Sequence, residues 1–346
     1  DALTAGGTAY AIFDKITPDA PIPLVEEGVE FFKANGCDAF IAFGGGSSMD
    51  AAKAMACSVA NPGKPVRKLA GYFKGFNGKT APAPIYAVPT TAGTGSEVTV
   101  AAVIADPEKG VKMLFVSEFL LPRAAILDAR LTLTLPPKLT AATALDALAH
   151  AMEAYLSIQK NPMSDAYTWQ AVKLIGEYLP RVVRQPDDKE GRLALANAST
   201  MAGTAFSNSM VGCVHSLGHA AGAVGHIPHG VAIGIFLPIG LAFNSQRRES
   251  MVAELLLPLA GPEVYSNTPA PKRAARTVKA VRDLMDELHT LTGLPRTLSE
   301  AGVDREKAEA IAALAINDGS ARMNPVEFTL DDARKLVEQA FEWQAA

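Results

Sequence analysis

Four of the six histidines in this 346-residue chain lie within HSLGHAAGAVGHIPHG, residues 215–230. Imidazole binds divalent metals and titrates near neutral pH, so such a density points to a metal centre or to proton transfer. His215 and His219 are four residues apart and so share one face of a helix, and His229 sits between Pro228 and Gly230 at an expected helix start. Upstream, ALDALAHAMEAY places Asp146 and His150 at the same spacing among alanine and leucine. That setting implies burial, and a buried carboxylate needs a partner. Any one of these residues alone is an ordinary structural side chain. Together, Asp146, His150, His215 and His229 offer three imidazoles and a carboxylate, a ligand set suited to Fe(II) or Zn(II).

Two glycine-rich turns suggest a second ligand. AFGGGSSMD at 42–50 follows a strand pattern and opens a helix, so its backbone can approach a pyrophosphate at a helix N-terminus. VPTTAGTGSEV at 88–98 also follows a strand and adds the hydroxyls of Thr90, Thr91, Thr94 and Ser96. Neither turn has the GxGxxG spacing of the common dinucleotide fingerprint, and either alone reads equally well as a connector. Two of them at consecutive strand ends fit the carboxyl edge of an open α/β sheet, where a dinucleotide binds.

The elements that must position these residues fall into two halves. Strand patterns at 9–14, 38–43, 84–89 and 124–129 alternate with helical ones, and the turn PEKG at 107–110 joins two further runs as a hairpin. This predicts a mostly parallel sheet in an α/β domain over 1–136. After LPPKLT at 135–140 the pattern is helix after helix, which predicts an all-α domain over 137–346, with Thr329 as the N-cap of the last helix. The site is expected in the cleft between the two domains.

Composition narrows the classes further. A net charge of −4 leaves no cationic surplus for a phosphate backbone, so nucleic acid is not an expected partner. The longest apolar run, 231–243, is broken by Pro238 and falls short of the ~20 residues that cross a bilayer, so no membrane association is expected. Three scattered cysteines and no signal-peptide pattern fit a cytoplasmic protein.

In order along the chain, GGGSSMDAAK, PTTAGTGSE, DALAH and VHSLGHAAG followed by IPHG resemble the successive signatures of the iron-dependent (group III) alcohol dehydrogenase family. The resemblance covers essentially the whole chain. It implies the dehydroquinate synthase-like fold, with an α/β nucleotide-binding domain followed by an all-α domain. It also implies Fe(II), or Zn(II) in its place, and NAD or NADP. Asp146, His150, His215 and His229 match the family's metal ligands, and His219 matches a histidine near the metal that does not bind it. Gly45, Gly46, Ser47 and Asp50 match the pyrophosphate turn, and Thr90, Thr91 and Thr94 match residues along the phosphates and nicotinamide. Lys112 matches a lysine that reaches the cofactor ribose, and Phe206 a substrate-pocket aromatic, while His226 matches no ligand and is expected in the pocket or at the surface.

Some positions depart from the family pattern. The family begins one strand earlier, so a first strand is expected to be missing here; that strand carries the acidic residue that helps choose NAD over NADP. Asp19 stands where asparagine is common, Ala101 where several members carry asparagine, and MNPV at 323–326 where NPR is usual. The last two are expected to line the site.

The expected activity is hydride transfer between a nicotinamide cofactor and a small primary alcohol or aldehyde: a linear alcohol, a diol or a hydroxy acid. A homodimer or larger homo-oligomer is expected. An NAD- and metal-dependent carbon–oxygen lyase of the 3-dehydroquinate synthase type competes with this. Its anionic substrate would require several lysines and arginines, and 140–157 and 206–230 contain none. A non-catalytic nucleotide-binding remnant is the third reading, opposed by the cost of keeping unused buried carboxylates and imidazoles.

Overall fold

The structure is a computed structural model that describes residues 2–72 and 82–343. The chain forms two compact units, Asp1–Thr90 with Ser96–Leu127, and Thr91–Gly95 with Asp128–Ala346.

The first unit holds α1 (Ala2–Ala5), α2 (Ile22–Ala34) and α3 (Gly46–Val59), with strands β1 (Phe40–Gly44), β2 (Gly71–Tyr72), β3 (Ile85–Pro89), β4 (Ala101–Asp106), β5 (Val111–Val116) and β6 (Ala124–Ala125). β1, β3 and β6 lie side by side in that order, all parallel, with Phe40 opposite Ile85 and Tyr86 opposite Ala124. β2, β5 and β4 form a second sheet in which β4 and β5 are the expected hairpin, Ala101 facing Val116. Gly110, at φ +62, supplies the left-handed residue that closes its turn. α3 packs on β1, β3 and β4 through Ala51, Ala54 and Ala56, whose small side chains let helix and strands approach closely.

Residues 9–14, an apolar run read as a strand, carry no regular element. Only Phe13 within this stretch packs on the core, while Tyr10 and Ile12 are exposed. A strand also needs a neighbour to complete its ladder, and among the described residues none pairs with this one.

The second unit is helical: α4 (Pro137–Leu156), α5 (Pro162–Arg184), α6 (Lys189–Ser209), α7 (Cys213–Gly225), α8 (His229–Glu254), α9 (Leu256–Asn267), α10 (Arg273–Thr292), α11 (Ala308–Ala315) and α12 (Leu330–Ala340). Among the described residues no strand follows β6. α4 is apolar around nearly its whole circumference and is correspondingly central, in contact with α5, α6, α7, α8 and α10. The apolar run at 231–243 is the buried first half of α8, which continues through Pro238 and breaks its helical geometry only at Arg248 (φ −128°, ψ 35°). Thr329 caps α12 in a reciprocal box with Asp332, the Thr329 hydroxyl accepting the Asp332 N–H at 3.2 Å. No helix among the described residues is long and apolar enough to cross a membrane.

Candidate metal centre

Helices α4, α7 and α8 aim four side chains at one point. Asp146 Oδ1 lies 3.8 Å from His150 Nδ1, 3.5 Å from His215 Nε2 and 3.3 Å from His229 Nε2. Asp146, His150 and His215 each bring one ligand atom within 4.8 Å of the others, and His229 is not part of that tight set. It is 35% exposed and reaches Asp146 from the open side, whereas the other three are buried. Asp146 Oδ1, His150 Nδ1 and His215 Nε2 are buried atoms with no hydrogen-bond partner. Three converging orphan atoms are costly to bury, and one divalent cation among them would satisfy all three.

The electrostatics agree with that fit. Burial opposes charge on Asp146, yet the imidazoles of His150 and His229 and the His215 contact hold its carboxyl well below the usual carboxylate range. Burial pulls His150 down to about 3, which leaves it a neutral lone-pair donor. Burial also works against a charged His215, but the neighbouring carboxylates of Asp146 and Glu153 lift it to about 9. Nδ1 of that ring faces Glu153, so Nε2 is the nitrogen turned toward Asp146. No lysine or arginine within 140–157 or 206–230 competes for the place of a cation.

A second layer holds the ligands in place, and sequence reading missed most of it. Glu153, buried on α4, binds His215 Nδ1 at 2.5 Å and accepts backbone N–H groups at the start of α7. Its signal was present but unused: it stands at i+3 from His150 and i+7 from Asp146 on the same face. His219 Nδ1 bonds Asp318 Oδ2 at 2.8 Å, a partner 99 residues away with no local signal. His219 also stacks on His229 at 5.3 Å between centroids, and burial lowers its pKa despite Asp318. Phe206 lies nearly flat against His150, at 4.2 Å and 18°. His226 is exposed and takes the left-handed conformation (φ 56°) at the C-cap of α7, so its role here is to end a helix. MNPV does not simply line the site. Asn324 is buried and exchanges hydrogen bonds with Asn244 while accepting the Cys213 N–H at 3.1 Å, so it supports α7.

The residues singled out for a cofactor are divided between the units. In the first unit, Gly44 turns at φ +152, where a Cβ would meet Ser48 Oγ at 2.4 Å. Gly45 is the N-cap of α3, and Gly46 and Ser47 head the helix. The N–H of Thr90 bonds Gly44 O at 2.9 Å and ties the two turns together. Both Asp50 oxygens are taken by the protein, from the Ser96 hydroxyl at 2.7 Å and the Val103 N–H at 2.8 Å. Lys112 pairs with Asp19 at 2.7 Å, and the Asp19 N–H donates to Ser47 Oγ at 3.1 Å. The Ala101 carbonyl accepts from buried Lys53 at 2.8 Å. In the second unit, Thr91 and Thr94 flank Gly93, whose absent Cβ leaves room for the backbone of Thr143 on α4.

Residues 1–129 match the profile of the iron-containing alcohol dehydrogenases, and residues 140–341 that of the Fe-containing alcohol dehydrogenase family, C-terminal. The chain is 39% identical to the NAD-dependent methanol dehydrogenase of Bacillus methanolicus, over 98% of this chain and 86% of that protein. It is 35% identical to the NADPH-dependent butanol dehydrogenase of Clostridium saccharobutylicum, over 97% and 85%. Among solved structures, an alcohol dehydrogenase from Oenococcus oeni superposes with a TM-score of 0.91 at 31% identity, over 98% of this chain and 86% of that one. The chain belongs to the iron-containing alcohol dehydrogenase family and is an oxidoreductase acting on alcohols.

Proposed function

We propose that the protein transfers a hydride between a nicotinamide cofactor and a small primary alcohol or aldehyde, with a divalent metal held by Asp146, His150, His215 and His229. The observation that carries this is the convergence of three buried, unpartnered ligand atoms from α4 and α7. In this reading residues 1–136 form the dinucleotide-binding domain and 137–346 the metal- and substrate-binding domain. When bound, the metal supplies Lewis acidity toward the substrate oxygen and the nicotinamide supplies the hydride chemistry. The ligand chemistry admits Fe(II) or Zn(II), and family membership favours iron.

The remaining work belongs to the chain's own residues. Phe206 gives an apolar wall beside His150 and keeps water off that side. His219 commits Nδ1 to Asp318, and its lowered pKa leaves the ring neutral, so its other nitrogen can take the substrate's proton at neutral pH. Gly45, Gly46 and Ser47 offer the head of α3 to a pyrophosphate, with Thr90, Thr91 and Thr94 as further donors. Asp50 acts by holding the turn in place, and Lys112 reaches the ribose from its pair with Asp19. The two relatives named above use NAD and NADPH respectively, so either cofactor fits. The absence of arginine from the ligand-bearing segments favours neutral substrates over hydroxy acids. We place the protein in the cytoplasm as a homodimer or larger assembly.

The test is elemental analysis of anaerobically purified protein, paired with NADH and NADPH oxidation against a panel of small aldehydes. About one metal per chain with turnover of one cofactor supports the reading. Metal without hydride transfer revives the lyase, and no metal after anaerobic reconstitution removes the metal site.

A further inference from the structure

Glu153 takes no part in the reaction described above, yet all of its accepting capacity is directed at one metal ligand and the turn that carries it. It is 2% exposed. Its Oε1 accepts the N–H of Gly212 at 3.1 Å and of Val214 at 2.8 Å, and its Oε2 accepts the N–H of His215 at 3.2 Å. Oε2 also lies 2.5 Å from His215 Nδ1. A carboxylate in this position accepts only, so the ring proton belongs on Nδ1. The other nitrogen, Nε2, is then the lone-pair donor; it stands 3.5 Å from Asp146 Oδ1, buried and without a hydrogen-bond partner. The same carboxylate replaces the side-chain N-cap that α7 lacks, because the residue at that position is Gly212.

We propose that Glu153 is a positioning residue for the metal centre, fixing both the tautomer of His215 and the start of α7 so that Nε2 faces Asp146 and His150. This rests on the metal reading given above. Such outer carboxylates orient a ligating imidazole and raise its basicity, and losing one costs about 10- to 100-fold in metal affinity.

Glu153→Gln tests this with little change of shape. The amide oxygen can still serve Gly212 and Val214, but the NH2 group then faces His215. Two donors oppose each other there, and the ring proton moves to Nε2, closing the nitrogen that faces the metal. Zn(II) affinity is measured by competition with a chromophoric chelator in wild type, Glu153→Gln and Asn324→Ala. The last removes the bond to the Cys213 N–H at the same helix start without touching His215. Expected is a loss of about 10- to 100-fold in Glu153→Gln and a clearly smaller one in Asn324→Ala. In zinc-loaded wild type, 15N spectra of the histidines should show the proton on Nδ1 of His215 and zinc on Nε2. This second measurement decides the matter even where the variant does not fold. Wild-type affinity in Glu153→Gln, equal losses in both variants, or zinc on Nδ1 would overturn the proposal. A wild type that takes up no zinc or iron removes the metal reading itself, which is a different result.

Discussion

His219 and Asp318 show how burial and pairing compete within a single contact. Burial opposes charge on Asp318, but the bond from His219 and the bonds from Ser320 hold its carboxyl down to about 2. An unfolded aspartate titrates near 3.9, so the folded value is depressed. The stability from this pair is therefore fully present above about pH 4 and is lost as pH falls through about 2, on the order of 2 kcal/mol. Urea midpoints of wild type and Asp318→Asn should differ at pH 5 and converge toward pH 2.5; a constant gap would show that the pairing does not set the shift. His219→Gln should lower turnover by about 10²- to 10⁴-fold, the usual range for a proton-transfer group, while metal content stays at the wild-type level. Metal loss in that variant would mean that His219 is a ligand. The Asp146–His150 and His215–His219 spacings were legible because four residues along a helix is a local geometry. Asp318 was not legible, since nothing near residue 219 encodes a partner 99 positions away.

α3 carries a device that sequence alone reads as one more polar position. Lys53 is fully buried, and its three ammonium N–H groups are shared among Ser96 O at 2.6 Å, Ser96 Oγ at 2.9 Å, Thr99 O at 2.9 Å, Thr99 Oγ1 at 3.0 Å and Ala101 O at 2.8 Å. Burial brings its pKa down to about 8 against the pull of Asp50 and Glu97, so it remains charged at neutral pH. One helix thereby pins the segment that leaves the second glycine-rich turn. Lys53→Met removes a paired buried charge and leaves its acceptors unmet, which should cost about 3–5 kcal/mol in urea unfolding. A loss below about 1 kcal/mol would place that segment under other control. Helix periods were the most readable elements: α12 starts at the expected Thr329 cap. The apolar run at 9–14 shows the limit, because composition favours extended chain but does not decide whether a neighbouring strand lies beside it.

The proposed metal ligands come from three helices of one unit, so a bound cation would staple α4, α7 and α8. Metal at about 100 times its Kd should add about 2.7 kcal/mol to that unit, and chelation should lower Tm accordingly. Hydrogen exchange should quicken in those helices and stay unchanged in β1 to β6; an even change across both units would contradict a metal confined to the helical one. Local features were legible in the residues alone: the i,i+4 spacings of Asp146–His150 and His215–His219, the glycine turns at strand ends, the switch from α/β to all-helical, and the ordered motifs of the family. Each depends on residues a few positions apart, where backbone period and turn chemistry leave little freedom. The folded chain alone brings Glu153 to His215, Asp318 to His219, Lys112 to Asp19 and Asn324 to the start of α7. Those pairings join elements distant in the chain, and only the close packing of those elements brings the polar atoms face to face.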